Sequence, residues 1–331
     1  MAQAQLSPKI HFYDEEKIAK INPETMKLWK KYKVDMTLRE LSEGTIAGYY
    51  NDLLHLWIYT YDNFANASIT ELTEDDLTEF FYFCKMQGNN SRRIKRRMSS
   101  VAAFYKFLRK KRIIQENPME FIDRPKKDTD IVVQTFLTRE QIDEMKQKLC
   151  EMYDSTRSVA NKHIALQYLT YAMFSLSTMA RVNAVNNTRW EQIDFDGRTV
   201  DDVLEKEGKI VTLYFSVEVR DLLLRLRQFR EEHGIDDQGY VFASQRAANV
   251  YNKPRTATMN KWTKTIGCMI GVPTLHPHDW RHSGSQLMKL AGAEIQDISA
   301  LLNHSGTDVT VKHYLRIDKD KIRANRDKFG L

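Results

Sequence analysis

The sequence predicts a mainly α fold with a small β-sheet, divided between two domains. Three observations lead to it. Apolar residues recur at helical spacing along most of the chain, period-two alternation is confined to a short region after Trp190, and a polar, proline-containing stretch interrupts both near residues 125–135. A length of 331 residues suits two domains, each with its own core.

Residues 1–37 are polar and mixed, and read as an N-terminal extension with a short helix near Pro23-Glu24-Thr25-Met26. From 41 to 61, Ile46, Tyr50, Leu53 and Trp57 share one helical face. Thr73 with Asp76 forms a capping box, in which each side chain serves a backbone N–H that the helix cannot satisfy itself. The helix it opens runs through Leu77, Phe80, Phe81 and Cys84 to a turn at Gly88-Asn89-Asn90. The next segment, SRRIKRRMSSVAAFYKFLRKKR, carries an apolar stripe of Ile94, Met98, Val101, Tyr105 and Leu108. Around it lie Arg92, Arg93, Lys95, Arg96, Arg97, Lys106, Arg109, Lys110, Lys111 and Arg112, with no acidic residue in the segment. A charge run is ordinarily a solvated face. A run of one sign repels itself unless a counter-charge is supplied, which points to DNA phosphates, with Arg92, Arg93, Lys95, Arg96, Lys106, Arg109 and Lys110 as the contacts.

The stretch RPKKDTDIVVQT has no helical period and reads as a linker over 125–135, separating a first domain (38–124) from a second (136–331). Thr138 with Gln141 is a second capping box, and helical patterns follow to about residue 180. Alternation then marks strands at Val200–Val203 and Ile210–Phe215, after which the chain is mainly helical, with breaks near Gly271-Val272-Pro273 and Ser305-Gly306.

Composition narrows the function. A net charge of +6 and an isoelectric point near 9.0 favour a polyanionic partner. No apolar run reaches transmembrane length, and the N-terminus lacks the apolar core of a secretory signal. Cys84, Cys150 and Cys268 are far apart and form no C-x-x-C, which reads as thiols of a reducing cytosol rather than a disulfide frame or zinc site. These features predict a cytoplasmic protein with no membrane partner.

Individually, the residues able to do chemistry are unremarkable. A histidine three residues before an arginine, as at His278 and Arg281, is ordinarily a core histidine beside a surface arginine. Arg181 after an apolar helix is ordinarily a structural ion-pair partner, and Tyr314 an aromatic packed on a core. Their order is another matter. Arg181, Lys206, His278-x-x-Arg281, His304 and Tyr314, with the segments SLSTMARVNAVNNTRWEQID, LEKEGKIVTLYF and HPHDWRHSGSQLMKLAGAEIQDISALLNHSGTDVTVKHY around them, resemble the tyrosine recombinase (phage integrase) family. The resemblance extends over residues 38–125 as well.

What it implies is specific. The fold would be the two-domain tyrosine-recombinase architecture, mainly α with a small antiparallel β-sheet: a helical core-binding (SAM-like) domain plus an α+β catalytic domain with a C-terminal helix. Tyr314 would attack the scissile phosphate, leaving a 3′-phosphotyrosyl link and a free 5′-hydroxyl. Arg181 and Arg281 would grip the non-bridging oxygens, His304 would donate to the same oxyanion, and His278 would accept a proton. Lys206 would protonate the leaving 5′-oxygen, with Lys209 as the fallback. Phosphoryl transfer asks for positioning and charge neutralisation, so no cofactor is implied.

The partners implied are double-stranded DNA with an inverted-repeat core site, a homotetramer on DNA with a dimer per site, and room for an accessory DNA-bending protein. The segment after Tyr314, with Ile317, Ile322 and Phe329, would dock on a neighbouring protomer. Three positions depart from the family pattern: Ala184 stands where a carboxylate is usual, Asn303 where glycine is, and Ala180 where leucine or methionine is common. The role expected is integration or excision of a mobile element, the alternatives being Xer-like dimer resolution, a type IB topoisomerase-like enzyme, and a DNA-binding protein that no longer cuts.

Overall fold

A computed structural model describes residues 14–126, 135–205 and 208–303 of the chain, which divides into two units, Met1–Ile131 and Val132–Leu331. Each has its own hydrophobic core.

The first unit is helical: α1 (Glu15–Lys20), α2 (Pro23–Leu38), α3 (Glu43–Asn63), α4 (Glu74–Met86) and α5 (Ser91–Lys110). Helix α4 opens on the expected box, with Asp76 N donating to Thr73 Oγ1 at 3.3 Å and Thr73 N to Asp76 Oδ2 at 2.8 Å. The α5 stripe of Ile94, Met98, Val101, Tyr105 and Leu108 is buried, joined by Phe104 and Phe107. Helix α2 is longer than its sequence suggests. Asn22 caps it and Pro23 sets its first turn, while Leu28, Trp29, Tyr32 and Met36 enter the same core as α3, α4 and α5. A core helix therefore lies within residues 1–37, where an extension is expected, because lysines between its apolar residues blur their period.

In the second unit α6 (Arg139–Asp154) begins at the Thr138–Gln141 box, again bonded in both directions. It packs beside α7 (Val159–Thr178), which is apolar on all sides and buries residues from His163 to Thr178, making it the central helix of the unit. After α8 (Val182–Asn187) come β1 (Ile193–Asp194), β2 (Thr199–Leu204) and β3 (Ile210–Tyr214), an antiparallel sheet in the order β1-β2-β3. Val200, Val203, Val211 and Leu213 face the core, and a bulge between Val200 and Val203 keeps both valines inward. Helix α9 (Val217–Glu232) leads to a hairpin of β4 (Ser244–Ala247) and β5 (Val250–Asn252), then α10 (Thr256–Met269), α11 (Pro277–Leu290) and α12 (Ile295–Leu301). The β4–β5 hairpin interrupts a stretch expected to be mainly helical; its strands are short and mostly exposed, so no alternation marks them.

A buried polar network ties α9 to α7. Arg230, 2% exposed, donates to His163 Nε2 at 3.0 Å, Gln167 Oε1 at 2.6 Å, Asp237 Oδ2 at 2.8 Å and the Tyr240 carbonyl at 3.1 Å. Trp190 Nε1 donates to the same Asp237 oxygen. A buried guanidinium is tolerable only when so engaged.

Candidate active site

The site is built where three chain turns meet. Helix α7 ends with Met179 in the left-handed region (φ +52°), its amide bonded to the Ser175 carbonyl. That reversal sends the chain directly into Arg181, the residue that caps α8. The Arg181 side chain is 35% exposed, and its Nη1 donates to Glu205 Oε2. Glu205 follows β2 with its side chain only 2% exposed, and its amide donates to the Lys209 carbonyl at 2.8 Å, closing the β2–β3 hairpin. Ala184, on the next turn of α8, is fully buried. Position 184 thus offers Arg181 no carboxylate, and Arg181 pairs instead with Glu205.

The second turn starts α11. His276 N donates to Asp279 Oδ2 at 2.7 Å and His278 N to His276 Nδ1 at 3.3 Å, a reciprocal cap that fixes the helix start. Three residues apart on this helix, His278 and Arg281 lie on one side of it. Burial, then the charges of Arg281, His276 and Arg181, lower the His278 pKa below the ordinary histidine value. A neutral imidazole at physiological pH is a competent proton acceptor.

Arg281 links the turns. It is 1% exposed, with Nη1 donating to the Met179 carbonyl at 2.7 Å and Nη2 to the Leu302 carbonyl. Met179 lies two residues before Arg181, and Leu302 two before His304. The third turn is the end of α12, where Asn303 adopts φ +51°. Its carbonyl receives Lys209 Nζ at 3.3 Å. Asn303, where the family pattern has glycine, suits this backbone, since asparagine tolerates the left-handed region better than most residues.

The structure therefore brings Arg181, His278 and Arg281 together with the hairpin and with the turn that leads to His304. Lys206, His304, Tyr314 and residues 319–331 lie outside the described residues. Sequence reasoning missed Glu205. Its only signal was an acid next to Lys206, and the pairing spans 24 residues that no periodicity links.

In the first unit, Arg92, Arg93, Arg96, Lys106, Arg109 and Lys110 are exposed on α5 and Lys95 is half-buried. Two of them already hold carboxylates: Arg96 Nε lies 3.2 Å from Asp52 and Arg109 Nη1 2.8 Å from Glu120. Arg97, by contrast, does not belong to the charged surface. It is buried against Cys84 and Phe80, with Nη1 2.9 Å from the Cys84 sulfur.

Residues 135–321 match the model of the phage integrase family, and residues 31–112 match that of the phage integrase N-terminal SAM-like domain. The chain belongs to the phage integrase family. As a tyrosine recombinase it is a DNA strand-transferase. Among its relatives is tyrosine recombinase XerD of Oceanobacillus iheyensis, 26% identical over 86% of this chain and 91% of that protein. Tyrosine recombinase XerC of Pediococcus pentosaceus is 24% identical over 92% and 97%. In fold, this tyrosine recombinase is similar to XerH site-specific recombinase bound to palindromic difH substrate (TM-score 0.68, 15% identity, 95% of this chain and 89% of that one). It is also similar to the Tn1549 transposon integrase in complex with transposon right end DNA (TM-score 0.64, 18% identity, 92% and 99%). No helix among the described residues is long and apolar enough to cross a membrane.

Proposed function

We propose that this recombinase cleaves and rejoins DNA at an inverted-repeat core site through a 3′-phosphotyrosyl intermediate on Tyr314. The observation that carries this is the hydrogen-bonded junction of the Arg181 turn, the α11 start and the Leu302–Asn303 turn, held by Arg281. Arg181 turns the open side of its guanidinium to the non-bridging oxygens of the scissile phosphate, and Arg281, whose Nη atoms each keep a second N–H, adds a donor beside it. His304 adds a donor to the same oxyanion, and neutral His278 takes the tyrosine proton as attack proceeds. Lys206 protonates the leaving 5′-oxygen. The engagement of Lys209 with the Asn303 carbonyl favours Lys206 for that task. The phosphotyrosyl bond conserves the energy of the diester, so rejoining needs neither ATP nor a metal ion.

The protein works in the cytoplasm on nucleoid DNA, as a dimer on each site and a tetramer at synapsis. Each protomer donates its segment 319–331 to a neighbour. A cavity of about 480 Å³ in the second unit, lined by Ile142, Met173, Leu176, Phe215, Leu287 and Leu301, offers an apolar seat for it. Deleting 319–331 then impairs synapsis more than single-site binding; intact synapsis would sink the exchange. Near end-to-end alignment with XerC and XerD supports resolution of chromosome or plasmid dimers over integration and excision of a mobile element.

Covalent capture on nicked host DNA, with Tyr314→Phe in parallel, tests the function. One inverted-repeat site recovered by wild type alone is the expected result. Scattered sites would instead mean a topoisomerase-like enzyme, and tight binding without covalent product a DNA-binding factor.

A further inference from the structure

We propose that Glu205 is the positioning residue for Arg181, holding its guanidinium in place for the scissile phosphate and tying it to the hairpin that carries Lys206. Three observations combine. First, the burial of the pair is lopsided: the carboxylate is 2% exposed and the guanidinium 35%. Glu205 therefore holds Arg181 from the protein side, and the solvent side of the fork is left for an arriving anion. Second, Glu205 Oε1 is buried with no hydrogen-bond partner among the described residues, and among those residues Arg181 is the counter-charge this carboxylate is paired with. A phosphate that drew Arg181 away would strand a buried anion, which is strongly unfavourable. The pair thus persists when phosphate binds, and Glu205 is not a latch that DNA must displace. Third, the Glu205 amide holds the Lys209 carbonyl at 2.8 Å, and Lys206 is the next residue in the chain. One residue consequently holds the arginine through its carboxylate and Lys209, at the start of β3, through its amide. A long side chain held before substrate arrives has little rotamer freedom left to lose.

This rests on the recombinase role proposed above. Its test uses full-length protein and a nicked duplex carrying the site found by covalent capture. Glu205→Gln keeps the shape and removes the charge. At saturating protein the rate of covalent product falls about 10- to 100-fold, the scale expected when a reacting group is misplaced by an ångström, while the Kd for DNA stays within about threefold. A methylphosphonate at the scissile position removes the anionic charge that Arg181 holds, so there the gap between wild type and E205Q shrinks to about threefold or less. Glu205→Asp, which retains the charge, cleaves faster than E205Q. The idea is overturned if E205Q keeps pace with wild type, if its defect is as large on the methylphosphonate, or if E205D is no better than E205Q. A wild type that forms no covalent product removes the recombinase role and this inference together; a cleaving wild type matched by E205Q removes this inference alone.

Discussion

Gly284 lies one turn after Arg281 on α11, where that helix crosses the end of α7. A Cβ placed there would stand 2.2 Å from the Leu176 carbonyl oxygen and 2.8 Å from Met179 Cγ. The first contact is with backbone and falls about 1.2 Å short of an ordinary 3.4 Å separation, so a helix must move. Overpacking of this kind costs about 1–3 kcal/mol. For a unit of this size that lowers Tm by roughly 3–10 °C. The larger effect falls on the site. Arg281 reaches the Met179 carbonyl at 2.7 Å, and a shift near 1 Å breaks that bond. Gly284→Ala should therefore lose about 100-fold in covalent product formation at 20 °C, where the variant is still folded. Thermal unfolding by circular dichroism and single-turnover cleavage measure the two quantities separately. Gly44→Ala is the control, since nothing lies within 4 Å of its added Cβ; in helix α3 it should be neutral or stabilising by up to about 1 kcal/mol. A G284A protein with wild-type Tm and wild-type cleavage would refute the tight crossing as what positions Arg281.

Arg230→Met should destabilise the second unit by about 3–5 kcal/mol in urea titrations, because it strips Asp237 of its counter-charge and takes one donor from Gln167. His163 is held neutral by burial and by Arg230, with its pKa lowered to about 3. Its contribution to stability is complete above the unfolded value near 6.5 and is lost as pH falls towards 3. Wild type should accordingly lose about 2 kcal/mol more than His163→Gln between pH 7 and pH 5; parallel losses would count against it. For His278, the lowered pKa predicts that the acid limb of the cleavage rate has its midpoint below the ordinary histidine value. An acid limb above 6.5 would exclude it as the base. On the first unit, Lys106→Ala with Lys110→Ala should reduce the salt slope of DNA binding by about 2. Arg109→Ala should change it less, since Glu120 already holds that guanidinium.

Local chemistry was legible in the sequence. The boxes at Thr73–Asp76 and Thr138–Gln141 bond in both directions as their spacing predicts, and the α5 stripe is buried residue for residue. Strand β3 lies within the alternating segment that marks it. What the sequence hid is what depends on distant partners. Arg97 looks like its neighbours in a basic run, yet its turn of the helix faces the core beside Cys84. Arg281 carries no sign that its donors go to carbonyls, one of them 102 residues away. Glu205 reaches Arg181 from 24 residues away, a pairing that only folding makes visible.

The arrangement around Arg281 also sets when the second unit can be completed. Its guanidinium grips residue 179 on one side and residue 302 on the other. A ribosome that has finished the Arg181 turn must still deliver the hairpin, α11 and α12 before that clasp can form. At the usual pace of roughly 5–20 residues per second, this takes several seconds or more after Arg181 is made. Throughout that interval the Met179 carbonyl awaits a donor that only α11 supplies, and Arg281 a carbonyl that only the end of α12 supplies. One clasp thereby makes the core of the second unit depend on Leu302, a residue made long after the helices it locks.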